Sequence, residues 1–277
     1  MNRRLLTSIC LLALSWCPYL PAQTLPSFES VPGGIAVVPI NAETKPDAYY
    51  RGRRVMVLGT AGDWRAIVGI PLGADPGAHR LEIRDGGKKA FYNFDVSTRD
   101  YEEQRITIKD DRKVNPLPMD MERINRETAL IRDAKAAWSR LEPVSLTLDQ
   151  PVQGPYSSPF GLRRFFNDQP RNPHTGLDIA ADQGTPIRAA GPGRIILTGE
   201  FFFNGNTVFI DHGQGLITMY CHMERIDVKD GQEIDQGEAI GTVGQTGRVT
   251  GAHLHWSVIL NQTMVDPAYF IKSTTNN

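Results

Sequence analysis

Cysteine is scarce in this 277-residue chain: Cys10, Cys17 and Cys221 are all it has. Two of them fall within residues 1–22, where an Arg3-Arg4 pair, an apolar run from Leu5 to Trp16 and a small-residue exit at Pro21-Ala22 follow the layout of a signal peptide. The remainder then keeps one thiol, which makes no intramolecular disulfide, so an exported protein of this kind is held by its core or by a metal. An excess of one charge is lacking too. The formal net charge is −1, and loss of residues 1–22 leaves 28 basic against 31 acidic residues, a net of −3. That balance excludes a large sequence-independent grip on nucleic acid phosphates. A membrane-length apolar run is also missing: the run at 5–16 is about a dozen residues, short of the roughly 20 a spanning helix needs. Cys17 sits where a lipid anchor would, but Trp16 is bulkier than the Gly, Ala or Ser such processing prefers.

Glycine and proline are plentiful, 26 and 19 residues, which favours tight turns and a mainly β chain. Over residues 23–108, Ile35–Ile40, Arg54–Leu58, Trp64–Ile70, His79–Ile83 and Ala90–Val96 read as short strands. Turn signals at Ala61-Gly62-Asp63, Asp75-Pro76-Gly77 and Asp85-Gly86-Gly87 separate them, and an Ig-like N-terminal β-sandwich is expected. Residues 99–115 are charged and read as a solvated face or linker. Within the linker 109–146, Asp120 to Leu141 reads as an amphipathic helix with Ile124, Leu130, Ile131, Ala134, Trp138 and Leu141 on one stripe. Pro143 ends it. From 147 to 273 a separate antiparallel β domain is expected, with strands over Pro186–Ala190, Gly193–Leu197, Thr207–Asp211, Leu216–His222, Ala239–Val243 and His253–Leu260.

Five of the six histidines lie between His174 and His255, and the expectation is that they gather at one site and leave only His79 spare. Three clusters carry the chemistry. His174 and Asp178 are four residues apart around Gly176, and both are good zinc ligands. His253 and His255 alternate on a strand, so they share a face while Leu254 and Trp256 turn to the other. In Tyr220-Cys221-His222 the same rule puts Tyr220 and His222 on one face and Cys221, a small buried apolar residue, on the opposite one. One Asp and four His on a β framework satisfy a catalytic zinc site: three ligands, an open position, and two histidines left for proton transfer or oxyanion work. Spacing alone does not say which histidine touches the metal.

These residues resemble the M23 zinc metallopeptidases, the lysostaphin-type or LytM-domain enzymes. The surrounding phrases are similar as well: Ser158-Pro159-Phe160-Gly161-Leu162-Arg163, His174-Thr175-Gly176-Leu177-Asp178, Gly184-Thr185-Pro186, Gly241-Thr242-Val243-Gly244-Gln245-Thr246-Gly247 and Gly251-Ala252-His253-Leu254-His255. The likeness covers roughly residues 150–270, and residues 30–105 are more loosely similar to the β-rich N-terminal domain of some exported M23 proteins. It implies one Zn2+ per chain held by His174, Asp178 and His255, with His222 and His253 as catalytic non-ligands. It implies a periplasmic endopeptidase cutting peptidoglycan stem peptides or cross-links, with D-Ala–meso-diaminopimelate as the expected bond and a monomer as the default state. The competing expectation is a non-catalytic LytM-type protein that binds the wall and activates other hydrolases.

Overall fold

The computed structural model describes residues 25, 28–142 and 144–271. The leader expected over 1–22, with Cys10 and Cys17, lies outside the described residues. The chain is mainly β. Six strands make the N-terminal sheet: β1 (Ile35–Ile40), β2 (Asp47–Tyr50), β3 (Arg53–Thr60), β4 (Asp63–Gly69), β5 (Gly77–Asp85) and β6 (Lys88–Val96). The sandwich is one continuous antiparallel path, β1-β4-β3-β2-β5-β6, folded around a shared core. In β5 the residues alternate, with Leu81 and Ile83 inward and Arg80 and Arg84 outward. The β5–β6 hairpin turns on Gly86-Gly87 at φ +54° and +81°, a pair of positive values that glycine adopts without a Cβ penalty.

Strands β1, β3 and β4 instead read as near-continuous apolar runs because they are buried on both faces. Ala36, Val38, Val55, Val57, Ala66 and Val68 fill the N-terminal core. Ile35, Met56 and Ile67, on the opposite faces, join the core of the C-terminal half. The junction is also hydrogen-bonded. Asn261 Oδ1 accepts from Gly69 N at 2.6 Å and its Nδ2 donates to Gly69 O at 3.1 Å.

After the sheet, β7 (Glu103–Ile106) pairs in parallel with β9 (Arg163–Phe166), which pairs in turn with β10 (Gln169–Pro170). Neither β2 nor β7 is expected from the sequence; both are short, and β7 lies in the charged stretch read as linker. Helix α1 runs over Met121–Lys135, six residues short of Leu141. Ile131 and Ala134 face the sheet as expected, whereas Leu130 is exposed. The buried side chain of the helix is a charged one: Glu127 accepts from Phe202 N at 2.7 Å and from Arg123 Nε at 2.5 Å. Trp138 lies past the helix end, under the Arg54 guanidinium.

The C-terminal half contains β8 (Tyr156–Ser158), β11 (Leu177–Ile179), β12 (Pro186–Arg188), β13 (Gly193–Phe201), β14 (Gly205–Asp211), β15 (Leu216–Ile226), β16 (Glu233–Ile234), β17 (Ala239–Val243), β18 (Leu254–Leu260) and β19 (Thr263–Val265). The main sheet runs β16-β13-β14-β15-β18-β11-β8, with β17 bridging β12 and β15. One face carries the large core built on Tyr220, Leu254, Trp256 and Val258. The other carries Phe209, Ile217, Met219, Cys221 and Ile259 beneath α1. No helix among the described residues is long and apolar enough to cross a membrane.

Candidate metal centre

Asp178 in β11 stands directly opposite His255 in β18, so their side chains project from the same face. Their neighbours Leu177, Ile179, Leu254 and Trp256 turn into the core and fix that orientation. His174 enters from the loop before β11, where its backbone N donates to Leu162 O at 2.9 Å and its O accepts from Gly161 N at 2.8 Å. Gly176 lets the loop close over the strand. A Cβ there would meet the Trp256 carbonyl oxygen at 2.6 Å and the His255 ring at 2.7 Å.

Three ligand atoms converge. His174 Nε2 lies 2.9 Å from Asp178 Oδ1 and 3.0 Å from His255 Nδ1, and His255 Nδ1 lies 2.7 Å from Asp178 Oδ1. The outer ring nitrogens set the tautomers. Pro159 O, 2.7 Å from His174 Nδ1, can only accept, so Nδ1 carries the hydrogen and Nε2 presents a lone pair. Ser257 Oγ lies 3.0 Å from His255 Nε2; where the hydroxyl accepts that ring's hydrogen, the Nδ1 lone pair is left facing inward. Burial pushes the His174 pKa down to about 4, so the ring is neutral at physiological pH. Burial alone would raise the Asp178 carboxyl, but the adjoining His174 and His255 rings outweigh it and hold the group below its ordinary range. Two imidazole nitrogens and a carboxylate oxygen meet at one point, an arrangement suited to a cation. Ligand atoms each about 2.0–2.2 Å from one ion lie within about 4 Å of each other, and these three do. They form a group able to hold a metal ion.

His222 reaches the same point by a different route. Tyr220 pairs with Trp256 and Cys221 with His255, so regular alternation would send His222 to the core face, away from His255. The strand is bulged instead. Cys221 and His222 together oppose Thr207 of β14, and His222 has φ +64°. The bulge carries its ring to the His255 side, with centroids 5.0 Å from His253 and 5.9 Å from His255. This corrects the expectation that Tyr220 and His222 share a face. Tyr220 is fully buried, and its hydroxyl accepts from Ala190 N at 2.9 Å. His222 Nδ1 donates to Thr246 O at 2.9 Å and His253 Nδ1 to Gly251 O at 2.9 Å. Each ring thus keeps Nε2 uncommitted, and that of His253 lies 3.9 Å from Asp178 Oδ1. Burial, then the nearby His253 and His255, drive the His222 pKa well down.

Not all five histidines gather here. His212 is buried elsewhere, with Nδ1 donating to Pro192 O at 2.7 Å and Nε2 at 2.7 Å from Thr218 Oγ1. Both ring nitrogens are committed, so its role is to satisfy buried polar atoms. His79 is likewise structural, between Tyr50 Oη and Asp75 O. Cys221 is buried and its thiol is pushed up to about 12.

Sequence reasoning missed the groups that hold the ligands. Arg164 Nη2 donates to Asp178 Oδ2 at 2.9 Å and to Ser158 Oγ at 3.1 Å. Ser158 itself stands opposite Asp178 in β8. An arginine fourteen residues before an aspartate carries no local periodicity, so only the strand pairing could have exposed it.

Comparison with known proteins identifies the family. Residues 172–267 match Peptidase family M23, and residues 28–99 match the Peptidase family M23 N-terminal domain. The chain is 42% identical over 120 residues to the peptidoglycan DD-endopeptidase ShyC of Vibrio cholerae, covering 40% of this chain and 28% of that protein. It is 43% identical over 111 residues to the DD-carboxypeptidase/endopeptidase Mpg of Neisseria meningitidis, covering 40% and 26%. The matched region thus spans only about a quarter of the length of these curated relatives. A crystal structure from Pseudomonas aeruginosa assigned to peptidase M23 superposes with a TM-score of 0.75 at 44% identity, covering 87% of this chain and 95% of that one. Over nearly its whole length that structure matches both halves together, and the chain is a member of peptidase family M23.

Proposed function

We propose that the chain is a zinc endopeptidase, exported to the periplasm, that hydrolyses peptide bonds in peptidoglycan stem peptides or cross-links, with D-Ala–meso-diaminopimelate as the target bond. One observation carries the reading: three ligand atoms able to share a cation sit beside two imidazoles with open Nε2 atoms. The names of the relatives, peptidoglycan DD-endopeptidases, support the substrate class.

His174 Nε2, Asp178 Oδ1 and His255 Nδ1 are the ligands in this reading. Zinc held there supplies Lewis acidity, which activates water and polarises the scissile carbonyl. The chain's own residues handle the protons. His222, neutral because burial disfavours its charged form, has Nε2 free to receive a proton while Thr246 O holds its Nδ1–H. His253 Nε2 faces the centre from the other side, with Gly251 O fixing its tautomer. Between them the two rings cover proton removal from water and its delivery to the leaving amine, and a ring whose Nε2 has taken up a proton becomes a donor able to stabilise the oxyanion.

The test pairs metal analysis with digestion of defined muropeptides read by mass spectrometry. The wild-type chain is expected to carry stoichiometric zinc and to release products cut at the cross-link. His255→Ala is expected to lose metal and cleavage together. Retained zinc in His255→Ala refutes the ligand set, and zinc-loaded wild type that leaves muropeptides intact refutes the enzyme.

A further inference from the structure

The carboxylate of Asp178 has two oxygens with separate duties. Oδ1 meets the two ligand imidazoles, and Oδ2 is held by Arg164 Nη2 at 2.9 Å. A carboxylate turns readily about its last torsion, which is broad and roughly two-fold. The arginine therefore fixes the angle of the carboxylate, holding one oxygen away from the centre and presenting the other. What holds the arginine is a residue from the other half of the chain. In β7, the strand leading out of the N-terminal sheet, Gln104 is in register with Arg164 of β9. Gln104 Oε1 accepts from Arg164 Nε at 2.9 Å, and Gln104 Nε2 donates to Ser158 Oγ at 3.1 Å. Ser158 Oγ also accepts from Arg164 Nη2 at 3.1 Å. The amide, the hydroxyl and the guanidinium close a ring of bonds, and the free arm of that ring is the bond to Asp178. Arg164 is only 16% exposed at its side chain, so water does not readily replace the amide.

We propose that Gln104 is a positioning residue for the metal centre: it fixes the Arg164 guanidinium and, through it, the single-oxygen presentation of Asp178. The inference rests on the reading that His174, Asp178 and His255 hold zinc. It makes β7 a working part of the site, although Gln104 lies outside both family-matched segments. Gln104 is also the cleaner probe. Removing Arg164 deletes a positive charge beside a cation site as well as a bond, and those effects on zinc affinity oppose each other. Removing the Gln104 amide changes no charge.

The test uses the full chain, with zinc affinity measured by competition against a chromophoric chelator and ligand geometry read from the visible spectrum of the Co2+-loaded protein. Gln104→Leu is expected to weaken zinc binding about tenfold, the lower end of what outer contacts to metal ligands contribute, and to shift the cobalt bands. Gln104→Glu keeps the acceptor for Arg164 Nε and is expected to restore the cobalt bands, the readout that its added charge does not enter directly. Arg164→Lys keeps the charge but loses the Nε held by Gln104. It is expected to show the same loss, and adding Gln104→Leu to it to cost nothing more, because the two act in series. Should Gln104→Leu fail to fold, Arg164→Lys alone decides. Affinity and cobalt spectrum unchanged from wild type in whichever variant folds overturns the inference while leaving the zinc reading intact; a wild-type chain that takes up no zinc overturns both.

Discussion

Replacing His222 by Gly and by Ala separates the backbone of the bulge from the chemistry of the ring. Both variants lose the bond from Nδ1 to Thr246 O and the same buried imidazole, so those losses cancel between them. What differs is the backbone. At φ +64° a residue with a Cβ is strained by about 1–2 kcal/mol, and glycine is not. Glycine gives back about 0.5–1 kcal/mol in extra chain entropy on folding. The balance leaves His222→Gly the more stable by about 0.5–1 kcal/mol. Cys221, one residue earlier, is not among the positive-φ positions, so there the sign reverses and Cys221→Ala is the more stable of the corresponding pair. Urea unfolding of all four proteins, with a chelator present so that metal affinity does not enter, reads both differences. On the zinc-loaded proteins the two His222 variants are expected to keep their metal and to lose roughly 10²–10⁴-fold in turnover, the usual contribution of a positioned acid–base group. An alanine at 222 as stable as glycine refutes the bulged placement, and near-normal turnover removes His222 from the mechanism.

Two further predictions concern the scaffold. Asn261→Ala leaves Gly69 N–H and C=O unpaired at the junction of the two halves, each costing about 1–3 kcal/mol; urea unfolding is expected to show a combined loss of roughly 2–6 kcal/mol, and a change within experimental scatter would mean that water replaces the amide. Burial pushes the Cys221 thiol up to about 12, so it stays protonated at pH 8. Native protein should therefore resist alkylation by iodoacetamide and react once denatured in urea, whereas prompt native labelling would contradict its burial.

How far the site could be read from the sequence depends on how local each placement is. His253 and His255 share a face because strand alternation is a local rule, and their apolar partners Leu254 and Trp256 make the pattern visible. Asp178 joins them because Leu177 and Ile179 bracket it in the same way. The apolar runs of β1, β3 and β4 announced strands, but not that Ile35, Met56 and Ile67 would serve the core of the other half. Counting histidines failed at His212, since a residue type carries no information about which face of which strand it lands on. The strand β7 was hidden because its pairing is with β9, about sixty residues on, and its exposed charged side chains look like linker.

His222 is the instructive failure. Alternation sends it to the core, and although histidine visits the left-handed region more often than most residues, a lone histidine in Tyr220-Cys221-His222-Met223 does not announce one without the stronger signal of glycine. Only the tertiary structure imposes the bulge: Asn204 O accepts from His222 N, and Thr246 O receives the imidazole hydrogen on the other side. Thr246 is itself fixed, accepting from Asn206 N at 2.9 Å and donating to Met223 O at 2.9 Å. A strand whose only task was to pack would continue regularly and bury a large apolar residue at 222. Here the local rule is broken at one residue, and the residue gained beside His253 and His255 is an imidazole with a free nitrogen. A backbone cost of this kind persists where the surrounding structure enforces it, and such positions concentrate at functional sites. The break in the pattern is therefore evidence for the role of His222 that is independent of any family likeness, and the reversed glycine–alanine preference at 221 and 222 is its measurable trace.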